Sequence, residues 1–140
     1  MATILTTINP LTWSYEGWRI FFLVSALWNL TGAIPALIVP ARNLKVMYNL
    51  ETDDYYTVFL NRALWWAILV FGIGYLIIAY DPGRHLGIVL MGIIGKTVIA
   101  AHWYYLFGKG RATYAVVLAA TGDSIFTVFF VLYLFNGPRL

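Results

Sequence analysis

Two ionisable residues lie in the middle of long apolar runs, where a bilayer would be deepest. Lys96 is the eleventh of the 22 residues 86–107, and Asp123 is the twelfth of the 24 residues 112–135. With a helical rise of about 1.5 Å per residue, both would reach the midplane of a hydrocarbon layer about 30 Å thick. Opposite charges at equal depth on successive helices predict an intramembrane ion pair. Asn29, at the centre of an earlier run, would complete a polar cluster.

The residue types of this cluster fit more than one chemistry. A buried lysine and aspartate can relay protons or ions, or bind the polar headgroup of a lipid. They can also neutralise each other and do no more than fix the register of two helices. A neutral pair, with the lysine deprotonated and the aspartic acid protonated, is a further arrangement that a low dielectric permits. The spacing alone leaves these alternatives and the charge state open.

Common catalytic and metal-binding patterns are absent from the sequence. It contains no G-x-S-x-G or H-E-x-x-H string, no phosphate-loop or dinucleotide fingerprint, and no cysteine. Glu51, Asp53 and Asp54 are arranged so that they could hold a divalent cation. Thr52 as a helix N-cap, followed by acidic residues in the first turn, explains the same segment. We therefore predict a non-enzymatic protein without a metal site, and the sequence assigns no cofactor.

His102 is a secondary candidate for the site. It follows Lys96 by six residues, which rotates it about 120° away from the lysine face of a helix. This position favours packing or an interface over ligand binding. His85, the other histidine, lies at the opposite end of the same predicted helix, about 25 Å away. One chain therefore cannot clamp a haem between the two, which leaves only a single-histidine site or a haem shared at an interface.

Four apolar runs carry these residues, and each is long enough to cross a bilayer. With 61% hydrophobic and 11% charged residues, the composition excludes an ordinary soluble domain. The nine basic residues are scattered, which excludes a nucleic-acid-binding stripe. We predict an all-α fold, a single transmembrane domain over residues 1–140, built as an antiparallel four-helix bundle. The predicted spans are residues 20–39, 57–80, 86–107 and 112–135.

The segments between the runs determine how the chain turns. Residues 41–52 are predicted to lie on the membrane surface, because Leu44 and Met47 share one helical face beside basic residues. Tight polar turns at residues 81–85 and 108–111 make successive spans antiparallel.

Small residues in the runs predict where helices approach each other closely. The helix-packing candidates are Gly72, Gly74, Gly92, Gly95 and Ala119. Small residues also recur every four positions around each charge, which predicts two stripes that face each other. The stripes are Gly92, Lys96 and Ala100 on one span, and Ala115, Ala119, Asp123 and Thr127 on the next.

Aromatic residues make up 18% of the chain, and many fall near the ends of the runs. Amphipathic rings favour the headgroup layer, so Trp18 and Trp65 are predicted to be interfacial anchors. Basic residues predict the orientation, because cytoplasmic loops carry an excess of them. Five lie toward one end of the bundle and three toward the other: Arg42, Lys45, Arg62, Lys109 and Arg111, against Arg19, Arg84 and Arg139. This count predicts an inner-membrane protein with extracytoplasmic termini.

Several short strings in the second half resemble small bacterial four-span membrane proteins of uncharacterised function. They are Gly72-Ile-Gly-Tyr75, Asp81-Pro82, Gly92-Ile-Ile-Gly-Lys96, and Gly122-Asp123 followed by Phe126 and Phe130. The resemblance covers roughly residues 20–135. It implies four membrane spans and carries over no catalytic residue.

The preferred functional interpretation is an accessory or scaffold subunit of a larger membrane complex. Such a protein would contact the lipid bilayer and bind partner helices, lipids or pigments, or a second copy of itself. The alternative is a small proton-coupled transporter that uses Lys96 and Asp123.

Overall fold

The structure is a computed structural model that describes residue 10 and residues 13–139. This part of the chain contains five helices and is all-α, as predicted. The helices are α1 (Tyr15–Ile38), α2 (Pro40–Tyr48), α3 (Tyr55–Tyr80), α4 (Leu86–Gly108) and α5 (Tyr114–Asn136). All except α2 are long and apolar enough to cross a membrane.

Helix α1 begins at Tyr15, ahead of the predicted start at residue 20, because local capping allows it. The hydroxyl oxygen of Ser14 accepts a hydrogen bond from the backbone N–H of Gly17, and Glu16 adds an acidic side chain to the first turn. The helix continues through Pro35 and ends at Ile38. The next helix, α2, starts at Pro40, a residue suited to the first turn because it has no N–H to leave unpaired.

Helix α3 is capped by Asp54, whereas the sequence had pointed to Thr52. The Asp54 carboxylate accepts hydrogen bonds from the backbone N–H and the hydroxyl of Thr57, at 2.8 and 2.7 Å. These bonds hold the pKa of Asp54 below its usual range. Thr52 instead accepts a hydrogen bond from the Asp54 N–H. Within the described residues, no group of three His, Cys, Asp or Glu side chains is placed to hold a metal ion.

The long helices pack as two pairs. The most extensive contacts are those of α1 with α3 and of α4 with α5, and α2 touches α1, α3 and α5. At one end, Thr113 donates its N–H to the Met47 carbonyl and its hydroxyl to the Val46 carbonyl. At the other end, the Tyr15 hydroxyl donates to the Asp81 carboxylate. Helix α2 therefore lies at the same end as the α4–α5 turn, opposite the α3–α4 turn.

Two hydrophobic clusters form the core. The first is mostly aromatic and lies toward the α3–α4 turn; its fully buried rings are those of Trp18, Phe22, Tyr75, Phe130 and Tyr133. The second lies toward α2 and combines small residues with two indoles: Ala33, Ala36, Met47, Trp65, Ala100, Trp103, Val116 and Ala120. Large side chains thus fill one half of the structure, and smaller ones leave space in the other half.

Trp18 and Trp65 are buried, so their prediction as interfacial anchors is wrong. Trp18 is 0% exposed, and its ring meets that of Tyr133 at a centroid distance of 5.1 Å. Trp65 is 5% exposed and donates its indole N–H to the Asn43 side-chain oxygen at 2.7 Å. Ring packing and a specific hydrogen bond outweigh the preference of these rings for a headgroup layer.

The candidate packing glycines make close contacts between helices. A Cβ atom on Gly92 would lie 2.8 Å from the Tyr75 hydroxyl, and one on Gly72 would lie 3.1 Å from Cβ of Asn29. The corresponding neighbours are Ile88 for Gly74 and Phe71 for Gly95, and Gly122, which was not a candidate, lies against Trp28. These glycines therefore serve contacts within the chain.

The buried face of α5 shares only Asp123 with the predicted stripe of small residues. Val116, Ala120 and Asp123 are buried, whereas Ala115 and Ala119 are only half-buried. The stripe on α4 is buried as predicted, at Gly92, Lys96 and Ala100. The difference on α5 arises because Ala115 and Ala119 line a pocket.

Candidate functional site

Lys96, Asp123 and Asn29 meet in the centre of the structure, each from a different long helix. The Lys96 Nζ atom lies 2.5 Å from Oδ1 of Asp123 and 2.9 Å from Oδ1 of Asn29. Lys96 and Asp123 are only 4% and 7% exposed. The structure thus brings together the three residues that the sequence placed at equal depth. We call them the polar cluster.

Further hydrogen bonds hold the polar cluster in place. Asn29 donates its side-chain N–H to the carbonyl of Ile68 at 3.0 Å, which ties α1 to α3. Trp28 donates its indole N–H to Oδ1 of Asp123 at 3.2 Å, which ties α1 to α5. The same carboxylate oxygen therefore accepts from both Trp28 and Lys96. Charged groups buried in this way are stable only when such partners compensate for the lost water.

Two aromatic rings lie near the end of the Lys96 side chain. Its Nζ atom lies 5.5 Å from the ring centroid of Tyr75 and 5.3 Å from that of Phe126. Both distances are within the range in which a ring face attracts a cation. One carboxyl group, one amide oxygen and two aromatic rings are thus placed to stabilise the charged form of Lys96.

A pocket of about 280 Å³ extends from the polar cluster toward α2. We call it the tryptophan pocket, because three indoles contribute to its wall. Its lining consists of Trp28, Asn29, Thr31, Gly32, Asn43, Met47, Trp65, Ile68, Trp103, Ala115, Leu118, Ala119 and Asp123. Trp28 is 36% exposed and Leu118 is 69% exposed, so the pocket opens on the outer surface between α1 and α5.

The indole N–H groups in this pocket are already hydrogen-bonded. Trp28 donates to Asp123, Trp65 donates to Asn43, and Trp103 donates to the Tyr48 hydroxyl at 3.1 Å. Burial raises the pKa of Tyr48, which keeps that hydroxyl neutral near pH 7. The indoles are therefore fixed in orientation. Because their N–H groups are occupied, a ligand can contact only the rings.

A second pocket of about 120 Å³ lies on the other side of the polar cluster. Its lining includes Lys96 together with Asn29 and Asp123, and the rest is mainly apolar: Leu64, Ala67, Ile68, Phe71, Tyr75, Gly95 and Ile99. We call it the α3–α4 pocket. Asn29 and Asp123 line both pockets, whereas Lys96 lines this one and not the tryptophan pocket. The polar cluster therefore separates two cavities that differ in charge.

No protein-family model, curated protein or solved structure matches this chain. The resemblance to small bacterial four-span proteins stays a prediction. The site is therefore interpreted from its own geometry.

The remaining sequence candidates lie outside the polar cluster. His102 is exposed on α4, and Ala119 lines the tryptophan pocket. The sequence analysis did not identify Trp28 as a residue of the site. One feature of the sequence could have indicated it: Trp28 lies beside Asn29 near the centre of an apolar run, whereas interfacial indoles concentrate at the ends of such runs.

Proposed function

We propose that the chain is an integral membrane protein whose four long helices form an antiparallel bundle in a bacterial inner membrane. The lengths of these helices and their exposed large apolar side chains support this setting. The contact of Thr113 with Met47 supports one shared end for the basic segments around α2 and the α4–α5 turn. That end is proposed to be cytoplasmic, with both termini on the other side.

The proposed activity is non-enzymatic: the protein holds a small lipid-phase molecule in the tryptophan pocket, as an accessory component of the membrane. The observation that carries this proposal is that the pocket opens on the outer surface of the helices and has polar side chains at its inner end. Leu118 and Trp28 are exposed at the opening, and Asp123 and Asn29 lie inside. Pockets of this kind, mostly apolar with a few convergent polar groups, are typical of small-molecule sites.

Packing of the glycines favours this role over the docking of partner helices. A stripe of small residues on an outer surface would suit a second transmembrane helix. In this structure Gly72, Gly92 and Gly95 instead lie against side chains of the same chain. Binding of a small molecule is therefore the part of the accessory-subunit interpretation that the geometry supports best.

The proposal is tested by filling the pocket. Ala119 is half-buried in the pocket wall, so Ala119→Trp would occupy the cavity. Ile125→Trp is the matched control, because Ile125 is 54% exposed on the same helix and does not line the pocket. Each protein is purified from its native membrane in mild detergent and examined by native mass spectrometry.

We expect a bound small molecule on the wild-type protein and on Ile125→Trp, and none on Ala119→Trp. A bound species that persists at equal occupancy in a correctly folded Ala119→Trp would contradict the proposal. A stoichiometric protein partner in the same preparation would support the wider role as a subunit of a complex.

A proton-coupled carrier is the second candidate function, favoured by one observation. The polar cluster lies between two pockets that share Asn29 and Asp123, as a gate between binding sites would. The test is proton flux into proteoliposomes that contain the wild-type protein or the double variant Lys96→Met/Asp123→Asn. Flux that depends on a solute gradient and disappears in the double variant would support a carrier; equal, leak-level flux in both would exclude it.

A further inference from the structure

We propose that the tryptophan pocket is selective for a small organic cation, such as a quaternary ammonium group. This inference rests on the proposed function, since it names the chemical class of the molecule held in that pocket. Three observations support it: the sign of the charge in the pocket wall, a free carboxylate oxygen, and the three indole rings.

The pocket wall carries a single ionisable residue, and it is acidic. Among the described lining residues, Asp123 is the only Asp, Glu, Lys, Arg or His. Lys96 pairs with Asp123 but lines the α3–α4 pocket instead. A ligand in the tryptophan pocket therefore meets the Asp123 side chain before it meets that of Lys96. An anion would face this carboxylate without a lining cation to pair with.

The Asp123 carboxylate has capacity for another partner. Its Oδ1 atom accepts from both Lys96 and Trp28. Its Oδ2 atom accepts no hydrogen bond from any described residue. A buried carboxylate has about four acceptor positions on its two oxygens, so one oxygen remains available. A cation in the pocket would satisfy it.

The three indoles supply the ring faces that attract a cation. Trp binds cations over its face better than Tyr or Phe does. The rings of Trp65 and Trp103 are adjacent, with centroids 6.2 Å apart and planes inclined by 38°. Gly32 makes room for the Trp65 ring, because a Cβ atom there would lie 3.2 Å from Cζ3 of Trp65. Fixed rings around a cavity lower the entropy cost of binding.

The chain already surrounds one basic group with the same kinds of partner. The Lys96 Nζ atom contacts the Asp123 side chain and lies near the rings of Tyr75 and Phe126. Asp123 and three rings of a stronger type line the tryptophan pocket. The fold thus repeats one recognition chemistry on both sides of Asp123.

The experiment compares two probes of the same shape. Phenyltrimethylammonium is cationic, and tert-butylbenzene is its uncharged carbon isostere. Binding of each is measured by equilibrium dialysis against the full-length protein in lipid nanodiscs, with empty nanodiscs as the blank. We expect saturable binding of phenyltrimethylammonium at least tenfold tighter than that of tert-butylbenzene.

Variants assign the binding to the pocket. Trp28→Leu is expected to weaken cation binding about tenfold through the loss of one ring face. Trp66→Leu is the matched control, because Trp66 is 57% exposed and does not line the pocket, and it is expected to bind as the wild type does. The double variant Lys96→Met/Asp123→Asn removes both charges together, which leaves no stranded ion. It is expected to lose the preference for the cationic probe.

The contrary results separate this inference from the function on which it rests. Equal binding of the two probes, or an unchanged preference in the double variant, would overturn the cation assignment. If neither probe binds but native mass spectrometry still detects a molecule that Ala119→Trp excludes, only the cation assignment is overturned. If neither probe binds and no molecule is detected, both proposals are overturned.

Discussion

The indole nitrogen of Trp28 lies 3.2 Å from Oδ1 of Asp123, and this contact joins the first long helix to the last. The two residues are 95 positions apart in the chain. The contact gives the carboxylate a second donor in addition to Lys96. It also places the N–H edge of the Trp28 ring against Asp123, and both residues line the tryptophan pocket. The charge pair and the pocket are therefore parts of one site.

The first prediction concerns the ion pair. Lys96→Met and Asp123→Leu each strand a buried charge, and each is expected to lower the free energy of unfolding by about 3 to 5 kcal/mol. The double variant should lose much less, because no unpaired charge remains. Thermal unfolding in detergent of the wild type, the two single variants and the double variant gives the coupling free energy between Lys96 and Asp123. Additive losses would mean that the two residues do not interact.

The second prediction concerns Asn29. Asn29→Ala removes an acceptor from Lys96 and a donor from the Ile68 carbonyl, so we expect a loss of about 1 to 3 kcal/mol. Asn136→Ala is the control, because that exposed amide bonds only to the Leu132 carbonyl. The measurement is again thermal unfolding in detergent. Equal small losses in the two variants would show that Asn29 does not support the lysine.

The third prediction compares two glycines of α4. A Cβ atom on Gly92 would meet the Tyr75 hydroxyl at 2.8 Å and Phe130 at 2.9 Å, so Gly92→Ala is expected to cost about 1 to 3 kcal/mol. Gly87 has no neighbour within 4 Å of such an atom, and Gly87→Ala should leave stability unchanged or slightly improved. A scan of melting temperature distinguishes them. A neutral Gly92→Ala would rule out close packing at this point.

The fourth prediction concerns the pH dependence of the α3 cap. The pKa of Asp54 is lowered in the folded state by its bonds to Thr57, so its contribution to stability is complete above the pKa of an unfolded aspartate, about 3.9. That contribution is lost as the pH falls through the lower folded value. Carboxyl NMR titration should therefore place the Asp54 midpoint below an ordinary aspartate. Thr57→Val should raise it, and Thr57→Ser should not.

The fifth prediction concerns orientation. A reporter fused after Leu140 should be active only on the extracytoplasmic side, because the more basic end of the bundle is proposed to face the cytoplasm. A second fusion within the turn between α4 and α5 should give the opposite result. Activity of the C-terminal fusion in the cytoplasm would reverse the proposed orientation.

Much of the polar cluster could be predicted because depth in a helix follows directly from counting. Lys96 and Asp123 occupy central positions in successive apolar runs, and a short turn between the runs returns the chain to the same depth. The same counting argument placed Asn29 at this depth. The all-α class and the four long apolar helices could be predicted from the length and composition of the apolar runs.

The pocket could not be predicted, because it depends on which side each ring faces after the helices pack. Tryptophan is a typical interfacial residue, but the indole of Trp65 donates a hydrogen bond to Asn43 and is buried. Trp28 reaches Asp123 because Gly122 leaves its ring space on α5. Contacts across 95 positions of the chain are set by tertiary packing, which no local periodicity encodes.

The separation of Lys96 and Asp123 along the chain also bears on how the protein is made. During synthesis, Lys96 is added to the chain 27 residues before its partner carboxylate. A lone lysine at the centre of a membrane helix costs about 2.5 to 3.5 kcal/mol on insertion. In the proposed bilayer setting, α4 is therefore a poor insertion signal by itself. We expect α4 and α5 to enter the bilayer together as a hairpin.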